Sequence, residues 1–299
     1  MNDNAYSRRD FLHLTAGGVT AAFAATTMAA CGESDTPAVS VAAMATAVPI
    51  GVQLYCFRHL MEKDVPGTLT KVAELGFTDV EFAGHFEYTA EETRKMLTDN
   101  GLNAVSTHLG IDPLLGDELE KTVAYNQTIG NNNLIVAGIS KERSGSKDGL
   151  MRTIDDFVAI SDKLRPLGMK TGYHCHAYSF SQLFDGTSVW DLIADNTPDD
   201  FILQLDTGNA SAGGADLAAV LKGHPGRIAS MHIKPYTIGS DDPFNAFIGE
   251  DSTDWPTIMN LSESVGGVES YIIEYEHEGH PPLEALQDNL TRFSGMKRA

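Results

Sequence analysis

Basic residues are scarce in this chain of 299 residues. Its 21 lysines and arginines face 41 aspartates and glutamates, which gives a formal net charge of −20. So acidic a surface repels phosphate backbones, which counts against nucleic acid as a partner and against a large surface patch that binds anionic lipid. Apolar residues are not scarce: at 42% they suffice for a full core, in one large domain or two small ones.

Cysteine is also rare, with only three residues: Cys31, Cys56 and Cys175. A disulfide between Cys56 and Cys175 is possible in an oxidising compartment, but it would have to join distant strands. Long apolar runs are missing as well. The weakly apolar stretch near the start contains two glycines at 17–18 and several threonines, so it is too polar for stable insertion as a spanning helix.

Residues 1–30 instead predict an export signal. A charged start is followed by a stretch rich in Ala, Gly and Thr, and then by small residues. The run "RRDFL" at 8–12 resembles a twin-arginine signal. We therefore expect an exported, periplasmic protein whose first 30 residues are removed.

The run "MAAC" ends at Cys31 and resembles a bacterial lipobox. Lipidation of Cys31 would tether a domain to a membrane surface without a spanning segment. The alternative is ordinary cleavage after the A-x-A at 45–47. Residues 31–48 are small and polar enough for a flexible tether, so the folded domain is predicted over 49–299.

From residue 50 onward, β-branched or aromatic runs alternate with helical patterns. Strands are predicted at 50–57, 77–84, 102–110, 132–139, 169–177, 201–209, 227–235 and 269–277. Helices are predicted at 66–76, 89–101, 117–130, 148–165, 187–195, 214–222, 255–265 and 281–294. Eight such units predict an α/β fold with a closed (β/α)8 TIM barrel. A doubly wound open sheet is the alternative, but no G-x-G-x-x-G follows the first strand.

Metal-capable side chains recur at the carboxyl ends of the predicted strands, where the active site of such a barrel lies. They are Glu81, His108, His174, His176, Asp206, Asn209, His232, Lys234, Glu274 and Glu276. Strand residues two apart share a face, so His174 and His176 are both expected to point inward while Cys175 points away.

Four of these residues each lie at the end of the strand in a different strand–helix unit: His174, Asp206, His232 and Glu274. Each alone could be a separately hydrogen-bonded residue at a strand end. Together, two imidazoles and two carboxylates favour one divalent ion such as Mn²⁺, Co²⁺, Zn²⁺ or Mg²⁺, since unpaired buried carboxylates are costly.

The runs "GYHCH", "LDTGN", "GRIASMHIK" and "YIIEYE", in this order, resemble the xylose isomerase-like TIM barrels. This superfamily includes sugar and sugar phosphate isomerases and epimerases. The resemblance extends from about residue 50 to the C-terminus. "YHCH" is similar to a subgroup with a Tyr-His-Asn-His run on the fifth strand. The resemblance implies His174, Asp206, His232 and Glu274 as metal ligands.

Two departures from the subgroup stand out. Ser179 occupies a position where relatives carry an acid, and Pro235 replaces the aspartate of a His-x-Lys-Asp run. The resemblance implies an isomerase or epimerase of a small carbohydrate that removes a proton next to a carbonyl, through an enediolate. Glu274 would be the base. The remaining assigned roles are His176, His108 or Lys234 as acid or second base, and Glu81, Asn209 and Arg227 as contacts to sugar hydroxyls.

Three alternatives remain open. A metal-dependent lyase or dehydratase of keto-sugars or 3-keto-glycosides would use the same enolisation. A non-catalytic carbohydrate-binding lipoprotein would only capture the sugar. A DNA repair endonuclease shares the barrel, but it needs a basic face, which the charge of −20 and the export signal argue against.

Overall fold

The structure, a computed structural model, describes residues 47–296 of the chain. The predicted signal at 1–30, Cys31 and most of the predicted tether lie outside the described residues. Eight parallel strands pair in chain order, and the last strand pairs with the first to close a barrel. The prediction of a (β/α)8 barrel is therefore confirmed.

The barrel strands are short and lie at the positions that the alternating pattern indicates. They are β1 Ile50–Gln53, β2 Asp79–Ala83, β3 Asn103–Leu109, β4 Asn133–Val136, β5 Lys170–His174, β6 Ile202–Asp206, β7 Ser230–Ile233 and β8 Ser270–Ile273. A two-residue hairpin, Leu183–Phe184 with Thr187–Ser188, follows β5 outside the barrel.

Helices surround the barrel, and several short ones follow the strands directly. They are α1 Arg58–Met61, α2 Val65–Glu74, α3 Ala90–Asp99, α4 Glu118–Ile129, α5 Lys141–Ser144, α6 Lys147–Leu164, α7 Ala177–Ser181, α8 Val189–Asp195, α9 Thr207–Ala212, α10 Leu217–Gly223, α11 Trp255–Leu261 and α12 Pro282–Ser294. Short 3₁₀ turns cover Leu54–Phe57, Asp112–Leu114 and Arg165–Leu167, and a π-helical turn covers Ser262–Gly266.

Several predicted strands are too long at their carboxyl ends, because side chains there cap helical turns. The Gln53 side chain accepts a hydrogen bond from the Tyr55 amide, which ends β1 and starts a 3₁₀ turn. The Asp206 side chain likewise caps α9 by accepting from the Asn209 amide. These caps turn the chain at the mouth, so the polar groups that follow each strand crowd one end of the barrel.

The hydrophobic core lies between the strands and the outer helices. The long helix α6 buries Leu150, Ile154 and Phe157 at helical spacing, and Phe157 packs against Tyr173 of β5. Cys56 and Cys175 are buried free thiols, so the possible disulfide is absent. Within the described part of the chain, none of the helices has the length and apolar character needed to cross a membrane.

Candidate active site

The carboxyl ends of the strands open into a cavity of about 810 Å³. His108, His174, His176 and Glu274 are among its lining residues. The mouth of the barrel therefore holds a concave site whose polar groups come from several different strands or the turns that follow them, as the strand-end pattern predicts.

His174, Asp206, His232 and Glu274 form a cluster beside this cavity: His174 and Glu274 line it, and Asp206 and His232 are fully buried behind them. Each offers one ligand atom, and these atoms lie within 4.8 Å of one another. Asp206 Oδ2 is 3.9 Å from His174 Nε2 and 3.9 Å from His232 Nδ1. Donor atoms about 2.0–2.2 Å from one ion are themselves about 3–4.4 Å apart, so a small contraction would suit a metal.

One oxygen in this cluster has no partner. Asp206 Oδ1 accepts from the Asn209 amide at 2.7 Å, whereas Oδ2 is buried without a hydrogen bond among the described residues. An orphaned buried carboxylate oxygen costs free energy unless something binds it. The donor set therefore fits a divalent cation held by Asp206 and its three neighbours.

The two imidazoles of the cluster are oriented by polar groups behind them. His174 Nδ1 faces Gln204 Oε1 at 3.0 Å, an acceptor, so Nε2 is left to face Asp206. His232 Nε2 contacts Glu81 Oε1 at 2.6 Å, so Nδ1 is the nitrogen turned to the cluster. Such outer partners fix the tautomer and ring orientation of histidines that bind metals.

Glu81 is the centre of a hydrogen-bond network inside the barrel. It is fully buried and accepts from Gln53, Ser106 and Gln204 as well as from His232. A register shift between Val80 and Glu81 sets Glu81 opposite Ser106 on β3. The network holds five strands, β1, β2, β3, β6 and β7, in one arrangement below the cavity.

The buried charged groups of this network shift one another's pKa values. Burial alone would raise the pKa of Glu81, but the imidazoles of His108 and His232 hold that pKa well below its usual range. Burial opposes the charge of His232, yet Glu81 and Glu274 raise its pKa to about 10. His232 is thus an imidazolium between two carboxylates, and a metal at Nδ1 would have to displace a proton.

Glu274 is also kept ionised. Burial would raise its pKa, but the ammonium of Lys234 and the ring of His232 hold that pKa well below the usual value. Lys234 Nζ donates to Glu274 Oε1 at 2.7 Å and to Glu276 Oε1 at 2.6 Å. These carboxylates and Asp206 raise the pKa of Lys234 even though burial opposes its charge. A charged lysine therefore sits behind the candidate base.

His108 and His176 lie in the cavity as predicted, although His176 is not on a strand. β5 ends at His174, and His176 instead precedes α7. His176 Nδ1 is buried with no hydrogen-bond partner among the described residues, and burial lowers the pKa of its ring. His108 Nε2 faces acceptors on Gln204 and Glu81.

Two predicted substrate contacts are wrong. Glu81 is enclosed by protein donors below the cavity, so it cannot reach a sugar hydroxyl. Arg227 lies before β7, at the opposite end of the barrel, and its guanidinium donates to the carbonyls of Ala194 and Phe201. Asn209 is nearer the site, but its side-chain amide donates to the Cys175 carbonyl, and the residue lines a neighbouring smaller cavity together with Lys234.

Sequence reasoning missed Gln53 and Gln204, which orient Glu81 and His174. A signal for Gln204 was available, since it stands two residues before Asp206 and so shares its face on β6. Glu276 also lines the cavity, beside Glu274, and no role had been assigned to it.

Residues 69–294 of the chain match the sequence model of a protein family that is described as xylose isomerase-like TIM barrel. The chain belongs to this family. The match spans the stretch from α2 to α12 and therefore includes seven of the eight barrel strands and every member of the metal-capable cluster. A search of the curated proteins finds no match to the chain.

Solved structures of similar shape include several family-like barrels. A sugar phosphate isomerase/epimerase from Parabacteroides distasonis ATCC 8503 superposes with a TM-score of 0.68 at 21% identity, covering 87% of this chain and 99% of that one. An L-ribulose 3-epimerase gives 0.58 at 18%, covering 84% and 87%. The IOLI protein with a bound zinc atom gives 0.65 at 14%, covering 82% and 96%. Identities this low show a shared fold.

Proposed function

We propose that the protein is a divalent-metal-dependent sugar isomerase or epimerase that removes a proton next to a carbonyl and passes through an enediolate. The observation that carries the proposal is the unpartnered, buried Asp206 Oδ2 among the ligand atoms of His174, His232 and Glu274. The superposed epimerase and the zinc-containing barrel support it by analogy of fold.

The four residues would hold one Mn²⁺, Co²⁺, Zn²⁺ or Mg²⁺ ion through two imidazole nitrogens and two carboxylates. A bound ion would supply Lewis-acid stabilisation of the charge that develops on the carbonyl oxygen. A second grouping, His108 with His174 and His232, is also close enough for a metal. His108 Nε2, however, already faces Gln204 and Glu81, so the four-residue group fits better.

Glu274 is the proposed base. Its low pKa keeps it ionised at neutral pH, and Oε2, which contacts His232 Nδ1 at 2.6 Å, would take the proton once His232 turned to a bound ion. The Lys234 ammonium that donates to Glu274 Oε1 holds this side chain in place. It also limits how far the carboxylate can turn, which favours attack on a substrate in one position.

The group that returns the proton would come from the facing wall. His176 and His108 both line the cavity; burial lowers the pKa of His176, so its imidazole is neutral and would have to take up a proton before it returned one. Tyr55 lies at the rim with 47% of its surface exposed, and Arg58 is held over its ring at 4.8 Å. This ring offers the carbohydrate an apolar face.

Lys234 favours a second candidate, a lyase or dehydratase that eliminates a leaving group from the same enediolate. Its ammonium donates to Glu274 and lines the smaller cavity beside the main one, so it could protonate an oxygen that departs into that smaller cavity. Ser179, where relatives carry an acid, is fully buried and bonded to Tyr173, so it offers no alternative proton donor to the cavity.

The experiment is solvent deuterium exchange. Purified protein loaded with Mn²⁺, Co²⁺ or Zn²⁺ is incubated in D₂O with free ketoses and 3-keto-glycosides. We expect deuterium at the carbon next to the carbonyl, with a rate lowered about 10²–10⁴-fold in Glu274→Gln. Glu269→Gln, on the exposed surface, is the matched control. An isomerised product indicates isomerase or epimerase, and an unsaturated product indicates lyase.

A protein that binds sugar without any exchange would be a carbohydrate-binding protein instead. A protein purified under mild conditions that neither contains nor takes up a divalent ion would overturn the metal-dependent reading.

We also propose that the protein is exported and held at a membrane by lipid on Cys31. The support is the sequence of residues 1–31 alone. Cell fractionation tests it: replacing Arg8 and Arg9 by lysine should retain the protein in the cytoplasm, and Cys31→Ala should release it from the membrane fraction. Unchanged fractions in both variants would contradict the proposal.

A further inference from the structure

A second cavity of about 220 Å³ lies beside the main one. Its lining includes Lys234, Phe244, Tyr275, Glu276 and His277. Glu276 lines both cavities, so the two meet at one carboxylate, two residues after the proposed base Glu274. Nothing in the proposed enolisation uses the second cavity.

The walls of the second cavity are fixed by contacts to the segment after β7. His277 Nε2 lies 2.9 Å from Asp242 Oδ2, and the Tyr275 hydroxyl donates to the Asn245 carbonyl at 2.8 Å. The Phe244 ring packs edge-on against Tyr236 with centroids 5.1 Å apart. Hydrogen bonds therefore hold the segment that carries Phe244 against the residues that follow β8. Because both walls are fixed in this way, the cavity is preformed.

The charges of both cavities disfavour a phosphate group. Among the described residues that line the main cavity there is no lysine or arginine, whereas Glu274 and Glu276 are present. In the second cavity, Lys234 is the one lysine or arginine among the described lining residues, and it is already paired with both of these carboxylates. Phosphate binding needs free donors and positive charge, and apart from the proposed ion, which would face the reacting carbonyl, these walls supply neither.

The same walls suit a neutral hydroxylated ring. Phe244 and Tyr275 offer apolar surface, while the side-chain oxygens of Asn209 and Glu276 offer acceptors at the edges, to which sugar hydroxyls can donate. A few placed polar groups on an aromatic lining are the usual composition of a small-molecule site. A ring bound here would lie next to the Glu276 carboxylate, where a link to a second ring in the main cavity would pass.

We propose that the second cavity is a subsite for the second ring of an uncharged glycoside whose reacting ring lies in the main cavity. The inference rests on the proposed function only for the placement of the reacting ring. It narrows the substrate class from carbohydrates in general to unphosphorylated sugars with at least two rings. Phe244 is the specificity residue of the subsite.

Binding is measured by titration calorimetry on metal-loaded protein, with fructose, fructose 6-phosphate and three ketose disaccharides of different linkage: lactulose, isomaltulose and turanose. At least one disaccharide should bind about tenfold tighter than fructose, and fructose 6-phosphate no tighter than fructose. Phe244→Ala should reduce the disaccharide advantage to about twofold and leave fructose unchanged. Phe184→Ala, a half-buried phenylalanine outside both cavities, should alter neither.

The inference is overturned if no disaccharide binds tighter than fructose, if fructose 6-phosphate binds tightest, or if Phe244→Ala weakens fructose and disaccharide equally. Deuterium exchange separates this result from the proposed function. If a disaccharide binds tightly through Phe244 but no deuterium exchange occurs, the subsite proposal stands and the proposed enzymatic function fails. If fructose undergoes deuterium exchange but no disaccharide binds more tightly than fructose, the proposed enzymatic function stands and the subsite proposal fails.

Discussion

At the scale of single residues, the buried Asp206 carboxylate lowers the stability of the metal-free protein, although it is a proposed ligand of the ion. Burial raises its pKa to about 7, although the Lys234 ammonium opposes the shift. Between the usual carboxyl pKa of 3.8 and this value, the folded protein holds a proton that the unfolded chain has released. Stability therefore falls as pH rises through this window, and it stays reduced above pH 7 unless a cation binds.

The variant Asp206→Asn tests this conflict. Without metal, it should be more stable than the wild type at pH 8 by about 1–3 kcal/mol, because the orphaned carboxylate is gone and the cap on α9 is kept. The gain should vanish toward pH 4, where the wild-type carboxyl is protonated. Urea unfolding in the presence of chelator, at several pH values, measures it.

Asp216→Asn, which changes an exposed aspartate that caps α10, is the control and should shift stability little at either pH. Added Zn²⁺ should stabilise the wild type and leave Asp206→Asn unaffected. A loss of stability in metal-free Asp206→Asn at pH 8 would contradict this account of Asp206.

Glu81 acts on the metal site through His232. In Glu81→Gln, the His232 Nε2–H loses its charged partner, so metal affinity should fall about 10–100-fold. The new amide would also face the Gln204 amide, which should cost about 1–3 kcal/mol of folding stability. Competition with a chromogenic chelator measures the affinity, and urea unfolding establishes that the variant is folded.

Glu120→Gln on the exposed face of α4 is the matched control and should bind metal like the wild type. If Glu81→Gln bound the ion as tightly as this control, Glu81 would not be the partner that orients His232.

The sequence alone was enough to group His174, Asp206, His232 and Glu274, since one polar residue at the end of each of four strands must meet at the barrel mouth. The sequence was not enough to show that Glu81 and Arg227 lie outside the cavity. Whether a strand residue lies in the cavity or below it depends on where the strand ends and on the shift at Val80. Those features depend on side-chain caps and pairing across the sheet, which no local pattern reveals.

At the scale of elements, the contact between β5 and β6 decides how His174 and Asp206 face each other. Gly172 stands in β5 against Ile202 of β6, and an added Cβ would lie 2.5 Å from the Ile202 carbonyl oxygen and 2.7 Å from its Cβ. Only glycine permits this approach of the two strands.

Gly172→Ala should therefore push the two strands apart. We expect a loss of about 1–3 kcal/mol in unfolding free energy together with weaker metal binding, because His174 and Asp206 move with their strands. Gly223→Ala in α10, where an added Cβ meets open space, should cost nothing measurable. Equal stability and equal metal affinity in the two variants would show that β5 can yield without disturbing the site.

Element positions were predictable to within a few residues because each strand–helix unit has its own apolar period. The short helices α7 and α9 were not, because they begin inside runs that read as strand. Asp206 is both the last residue of β6 and the cap of α9, and a local pattern cannot show this double role.

At the scale of the whole molecule, eight units in one chain were enough to predict a closed barrel. Closure then brings together residues that are far apart in sequence: Gln204 Nε2 donates to Glu81 Oε2 across 123 positions. The polar network, the cavity above it and the cluster beside the cavity all follow from that closure, and the central claim is that this cluster holds a divalent ion.

A crystal structure of protein grown with Mn²⁺, with anomalous data collected at the manganese edge, tests that claim most directly. We predict one strong anomalous peak bonded to His174 Nε2, Asp206 Oδ2, His232 Nδ1 and a Glu274 oxygen, with His232 turned from its Glu274 partner to the ion. No peak at this position, with His232 Nδ1 still bonded to Glu274 and Asp206 Oδ2 still without a partner, would contradict it.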